Sequence, residues 1–270
     1  MNTPETELVV PQRFRGPASS GNGGWTAGAL AERAGHWTTT VQLRRPPPLE
    51  VMMSVATEDE WTLASLDSTV IARACAAETE PDPVAPVTAD LARTAETAYP
   101  GHHSHPFPTC FACGTRREEG DGLRIFPGPA GDGVAATWTP HQSVAADWHA
   151  YADPDGTRHA SLPVTWAALD CVGGWAGDLI ERPMVLGTMT ARVDALPVIG
   201  ELHVLVGARR SAGGRKTLTS ATLYDAAGRL VACAEHVWIS VDPKDFNITP
   251  RNHPSPPLRS SAERFRGDPE

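Results

Sequence analysis

The chain has 270 residues, 41% of them hydrophobic and 20% charged, a composition that fits one large globular domain or two small ones. Lys and Arg number 23 against 32 Asp and Glu, a formal net charge of −9; an acidic surface repels phosphate backbones, so no nucleic-acid partner is expected. No window reaches about 18 uncharged apolar residues, and the opening MNTPETELVV carries acids where a secretory leader needs a basic segment, so a cytoplasmic protein without a membrane span is expected.

After an N-terminal segment (1–12), the stretch SSGNGGWTAGALAERAG places Ser, Asn and Gly ahead of apolar residues at helical spacing, and Gly35 stops the pattern; this predicts one helix. The following residues, from His36 to about Ala76, are rich in Val, Thr, Ile and Trp and are broken at Pro46–Pro48 and Glu58–Glu60, which predicts three or more antiparallel strands. A Pro-rich, weakly periodic stretch over 78–109 reads as a connection, with the boundary at 98–109. It separates an N-terminal unit (13–97) from a C-terminal unit (110–243).

The second unit repeats the plan. GLRIFPGPAGDGVAATWTP predicts a hairpin with a Gly-Asp-Gly turn, and SLPVTWAALDCVGGWAGDLI a long apolar helix with Pro163 in its first turn. Three or four strands follow between Pro183 and Val241, with a tight turn at Asp225–Gly228. A helix that is hydrophobic all round must be wrapped, and a curved sheet is the natural wrapper. From 244 to 270 the chain turns rich in Pro, Arg and Ser and reads as a tail.

Helix-then-meander in duplicate resembles the hot-dog fold. GNGGWTAGAL is similar to the glycine-rich loop that leads into the hot-dog helix of acyl-CoA thioesterases. VQLRRPPPLEVMMSV is similar to the strand, arginine–proline kink and strand that follow it, and TCFACGTRREEGDGLRIF to the Cys-Phe-x-Cys-Gly…Gly-Leu lead-in of many thioesterase-like proteins. TWAALDCVGGWA, LGTMTARV and GRLVACAEHVWI resemble the C-terminal half of tandem type II acyl-CoA thioesterases. The matched pieces span most of 13–242. The resemblance implies an α+β double hot-dog: two antiparallel sheets, each wrapping a central helix, as a pseudo-dimer that could oligomerise further. It also implies hydrolysis of acyl-CoA thioesters, with coenzyme A as part of the substrate and no cofactor.

Asp170 is the only charged side chain between Ser161 and Gly177. An ionised carboxylate inside an apolar helix is costly unless it is paired or functional, and desolvation raises its pKa toward values useful to a general base. By resemblance it matches the catalytic aspartate of the thioesterase II helix; the structural alternative is a cap or pair with a neighbouring strand. The family's threonine falls on Thr188, whose strand face by period two would hold Leu186, Thr190 and Arg192. The family's glutamine falls on His236, a departure, and a lone histidine on an apolar strand face is also a common core residue. Asn22, Gly23 and Gly24 can offer helix N-terminal amides to a substrate carbonyl oxygen, or serve only as a cap.

Aligned on the two helix starts, Asp170 corresponds to Ala31, and the second helix starts at Ser161-Leu162-Pro163 without glycines. One complete site could therefore combine both halves. Trp166, with Trp138, Trp148, Trp175 and Trp238, could line a substrate groove or fill the core. Arg209, Arg210, Arg215 and Lys216 bracket the Gly213-Gly214 turn, where they could meet coenzyme A phosphates. The five cysteines, an odd number, argue against a secreted disulfide framework. Cys110-x-x-Cys113 beside His102, His103 and His105 raises the question of zinc. Yet a second pair is missing and Cys171 and Cys233 stand alone, so no metal is expected. The alternative function is a non-catalytic acyl or acyl-CoA binding protein, favoured by His236 in the glutamine position. A hot-dog hydratase would need an Asp–His motif that the chain lacks.

Overall fold

In the computed structural model, which describes residues 6–146 and 155–246, strand β1 (Thr6–Val9) precedes the first expected helix, α1 (Gly23–Ala34). The Asn22 side chain accepts the Trp25 N–H at 2.8 Å, and Gly35, with φ of 69°, closes the other end. Four strands follow: β2 (Thr38–Leu43), β3 (Met52–Glu58), β4 (Trp61–Leu66) and β5 (Thr69–Ala76).

The Pro-rich connection contains an element that its weak periodicity does not announce: α2 (Ala89–Glu96), capped by Thr88, with only Ala92 and Ala95 buried. Residues 98–109 do not run free over the surface. The Tyr99 ring is buried against Phe126 and Trp175, and its hydroxyl donates to the Cys113 carbonyl at 3.1 Å.

The expected hairpin is β6 (Gly128–Ala130) and β7 (Gly133–Trp138), turning through Gly131-Asp132. Short α3 (Gln142–Ala146) leads toward 147–154, which lie outside the described residues and include Trp148. The apolar helix is α4 (Leu162–Ala176), whose Ser161 cap accepts the Val164 N–H at 3.3 Å. Then come β8 (Met184–Val193), β9 (His203–Gly213), β10 (Lys216–Asp225) and β11 (Leu230–Ser240). Beyond a short 3-10 turn at Pro243–Phe246, the expected tail lies outside the described residues.

The expected pair of sheets is one continuous 11-stranded sheet in the order β1-β3-β4-β5-β2-β8-β11-β10-β9-β7-β6. The strand order of the first half recurs in the second, with β7 to β11 standing for β1 to β5 in reverse direction across the sheet. The halves join where β2 pairs antiparallel with β8, from Thr38 opposite Arg192 to Gln42 opposite Thr188. Pairing there satisfies the backbone groups that two separate sheets would each leave at an open edge.

Inside the curve, α1 lies against α4. Gly24 permits that approach, since a Cβ there would fall 2.4 Å from the Asp170 Cβ and 2.7 Å from the Trp166 carbonyl oxygen. Trp25, Leu30, Trp166, Leu169, Met189 and Leu205 fill the space between helices and sheet, each worth roughly 1.5–3 kcal/mol of apolar burial. Among the described residues no helix is long and apolar enough to cross a membrane.

Candidate active site

The N-terminus of α1 meets the middle of α4 at a carboxylate. Asp170 is 2% exposed, and its Oδ2 accepts the Gly24 backbone N–H at 2.9 Å and an Asn22 Nδ2 hydrogen at 3.1 Å. Its Oδ1 is buried without a hydrogen-bond partner among the described residues. Burial pushes the carboxyl up to about 7, opposed by the Gly24 and Asn22 hydrogen bonds. The group combines both halves: the acid comes from the second, and its two donors come from the first.

Asp170 lines a cavity of about 340 Å³. Asn22 and Gly23 share its inner end, Leu43, Pro47, Leu179, Met184, Leu186 and Trp238 form its walls, and Arg44, Arg45 and Arg215 also line it. These arginines are exposed while Asp170 is buried, so cationic groups mark the solvent side and the carboxylate the inner side. Of the basic hairpin tip, only Arg215 lines the cavity; Arg210 donates to Ser220 Oγ at 2.8 Å. Arg44 and Arg45 were legible as an arginine–proline kink, but nothing in their spacing aimed them at the Asp170 cavity.

Gly24 departs from its expected use, because its amide is committed to Asp170 and is not free for a substrate oxygen. The Trp25 amide is committed to the Asn22 cap. Gly23, which lines the cavity, is the first-turn amide left over from capping.

Besides Gly24, three residues expected at the site do not line the cavity. Thr188 stands opposite Gln42, on the face where Thr190 Oγ1 bonds Thr40 Oγ1 at 2.8 Å. The period-two reading put Leu186 on that face, but the β8–β11 register shifts between Val237 and Trp238, and the extra residue on β8 is Gly187. The bulge turns Leu186 inward and Thr188 outward. His236 is buried beside Gly173, and its Nδ1 lies 3.3 Å from Thr219 Oγ1. Thr219 Oγ1 also accepts the Trp238 indole N–H at 3.1 Å, which ties the three side chains into one buried polar group. Burial pulls His236 down to about 4, so it is neutral at physiological pH. Trp166 is packed across α1 at Gly28, as core.

One grouping was not anticipated. Cys171, read as a singleton, meets Cys110 and Cys113, with the three Sγ atoms within 4.8 Å of one another and Cys110 to Cys171 at 3.5 Å. All three line the inner end of the cavity beside Asp170. Hydrogen bonds from the Cys113 and Cys171 thiols hold Cys110 well below the ordinary thiol range, while the Cys171 thiol is held up. The available signal was Cys171 next to Asp170 on a helix whose buried face had to meet something.

The sequence matches no protein-family profile and no curated protein. Solved structures do match. A conserved protein of unknown function with a hot-dog fold from Alicyclobacillus acidocaldarius superposes with a TM-score of 0.57 at 12% identity, over 88% of this chain and 94% of that one. A protein assigned as a thioesterase II from Thermobifida fusca gives 0.52 at 14%, over 90% and 94%. One assigned as a thioesterase from Novosphingobium aromaticivorans gives 0.52 at 12%, over 88% and 96%. The chain has a hot-dog fold.

Proposed function

We propose that the protein is a tandem, double hot-dog hydrolase of acyl-CoA thioesters, with Asp170 as the group that activates water. The observation that carries this reading is the buried Asp170 carboxylate, anchored through Oδ2 and unpartnered at Oδ1, on the wall of an apolar cavity. Anchoring through Oδ2 fixes the carboxylate while Oδ1 keeps its acceptor capacity for a water, as a general base requires. In the reaction Asp170 accepts a proton from water as its oxygen adds to the thioester carbonyl. The C–S bond then breaks, and the thiolate leaves and is protonated, giving a carboxylic acid and a free thiol. The Gly23 amide is positioned to favour the carbonyl oxygen as charge develops on it. The apolar walls suit an acyl chain, and Arg44, Arg45 and Arg215 suit the phosphates of coenzyme A. The hot-dog relatives assigned as thioesterases are consistent with this chemistry.

Free-thiol release from short, long and aromatic acyl-CoAs tests the reading. Turnover supports it. Saturable acyl-CoA binding without turnover favours the non-catalytic binding protein instead.

A further inference from the structure

The thioesterase reading leaves the three buried thiols beside Asp170 unused. A tetrahedral zinc–thiolate site with Zn–S of about 2.3 Å requires S···S separations of about 3.8 Å. The cysteine sulfurs are close enough for such a site, at 3.5 Å for Cys110 to Cys171 and within 4.8 Å for all three. A disulfide accounts for them less well: it needs an S–S distance of about 2.05 Å, joins only two sulfurs, and leaves the third buried.

The surroundings hold these thiols in place. The Gly114 N–H donates to the Cys110 carbonyl at 2.9 Å, and a Cβ on Gly114 would fall 2.5 Å from that same oxygen, so glycine is needed to close the turn that brings Cys113 back to Cys110. The turn is pinned to the rest of the fold through the Phe111 N–H to the Arg15 carbonyl and the Leu123 N–H to the Phe111 carbonyl, both at 2.8 Å. Arg117, buried, donates from Nε to the Thr109 carbonyl at 2.8 Å. Asn22 Nδ2 lies 3.6 Å from Cys110 Sγ and 3.8 Å from Cys171 Sγ, an N–H donor of the kind that supports metal-bound thiolates from outside the ligand set. His105 is not a ligand: its Nδ1 accepts the Phe107 N–H at 2.9 Å, which leaves Nε2 to donate to the Cys113 carbonyl at 3.0 Å.

We propose that Cys110, Cys113 and Cys171 bind one zinc-type ion as three thiolates, with the fourth coordination position on the cavity that all three line. Binding releases the three thiol protons to solvent and involves no change of oxidation state. The proposal departs from the expectation of no metal: a single cysteine from α4 takes the part of the missing second cysteine pair. A three-ligand site open to a cavity takes a small fourth ligand such as water or a thiol.

The test is independent of thioesterase activity. Wild type, Cys113→Ser, Cys171→Ser and Cys75→Ser are purified under reducing conditions without chelator, and zinc is quantified per chain. Wild type and Cys75→Ser, whose thiol lies on β5 outside the cluster, are expected to hold zinc one to one, and the other two variants to lose it. Cobalt(II) substitution of the wild type is expected to produce thiolate-to-metal charge-transfer absorption with tetrahedral d–d bands. Should the serine variants fail to fold, titration of wild type with a mercurial is expected to release one zinc as the cluster thiols react. A reduced, folded wild type with neither zinc nor a cobalt–thiolate band overturns the proposal. So does equal zinc in wild type and Cys171→Ser, which would mark an adventitious ion only.

Discussion

The Gly24 backbone N–H lies 2.9 Å from Asp170 Oδ2, so the first turn of the first half's helix holds the one acid in the second half's helix. That contact ties the helix pair to the candidate chemistry. Neither half contains the arrangement alone, because the position matching Asp170 in the first helix is Ala31, which is buried.

Gly24→Ala is expected to disrupt both packing and activity. Its methyl would sit 2.4 Å from the Asp170 Cβ and 2.7 Å from the Trp166 carbonyl oxygen, and overpacking of this kind costs about 1–3 kcal/mol. Chemical denaturation should show a lower midpoint at an unchanged slope, and thiol release should fall with it.

The contribution of His236 to stability should be lost in mild acid. Its folded-state pKa is depressed from 6.5 to about 4, so the unfolded chain binds this proton more readily than the folded one. The His236 contribution is therefore complete above pH 6.5, is lost as pH falls from 6.5 to 4, and levels off below. The loss amounts to roughly 3 kcal/mol. The Asp170 carboxyl, pushed up to about 7, acts in the opposite sense over this range, so the check is the difference between proteins: the urea-unfolding stability of wild type relative to His236→Gln should fall as pH drops from 6.5 to 4, because the Asp170 contribution is common to both.

Charge on the solvent side of the cavity should serve the coenzyme A portion of a substrate. Arg44→Ala, Arg45→Ala and Arg215→Ala each remove an exposed cation, worth about 0.2–1 kcal/mol to a phosphate partner, or a rise of at most about fivefold in KM. A truncated thioester without phosphates should show no such rise, and added salt should shrink the difference for acyl-CoA.

Much of the frame was legible in the sequence because its signals are local. Asn22, Ser161 and Gly35 cap the helices where their chemistry indicates, Gly131-Asp132 turns the hairpin, and Asp170 stood out as the lone charge in an apolar helix. What was not legible depends on distant partners or on a break in period. The β2–β8 joint makes one sheet of two expected ones, and the bulge at Gly187 moves Thr188 off the cavity face. Helix α2 buries only two alanines and so leaves little apolar pattern. Cys171 joins Cys110 and Cys113 only through tertiary packing, which spacing along the chain does not encode.

Asp170→Asn tests the central claim most directly. The amide keeps nearly the same shape but cannot accept a proton from water. With folding verified by an unchanged thermal transition profile, free-thiol release from an acyl-CoA that the wild type cleaves should fall at least about a hundredfold, the lower end of a general base's contribution. Turnover in Asp170→Asn close to that of the wild type would contradict the account and return Asp170 to a structural link between the two helices.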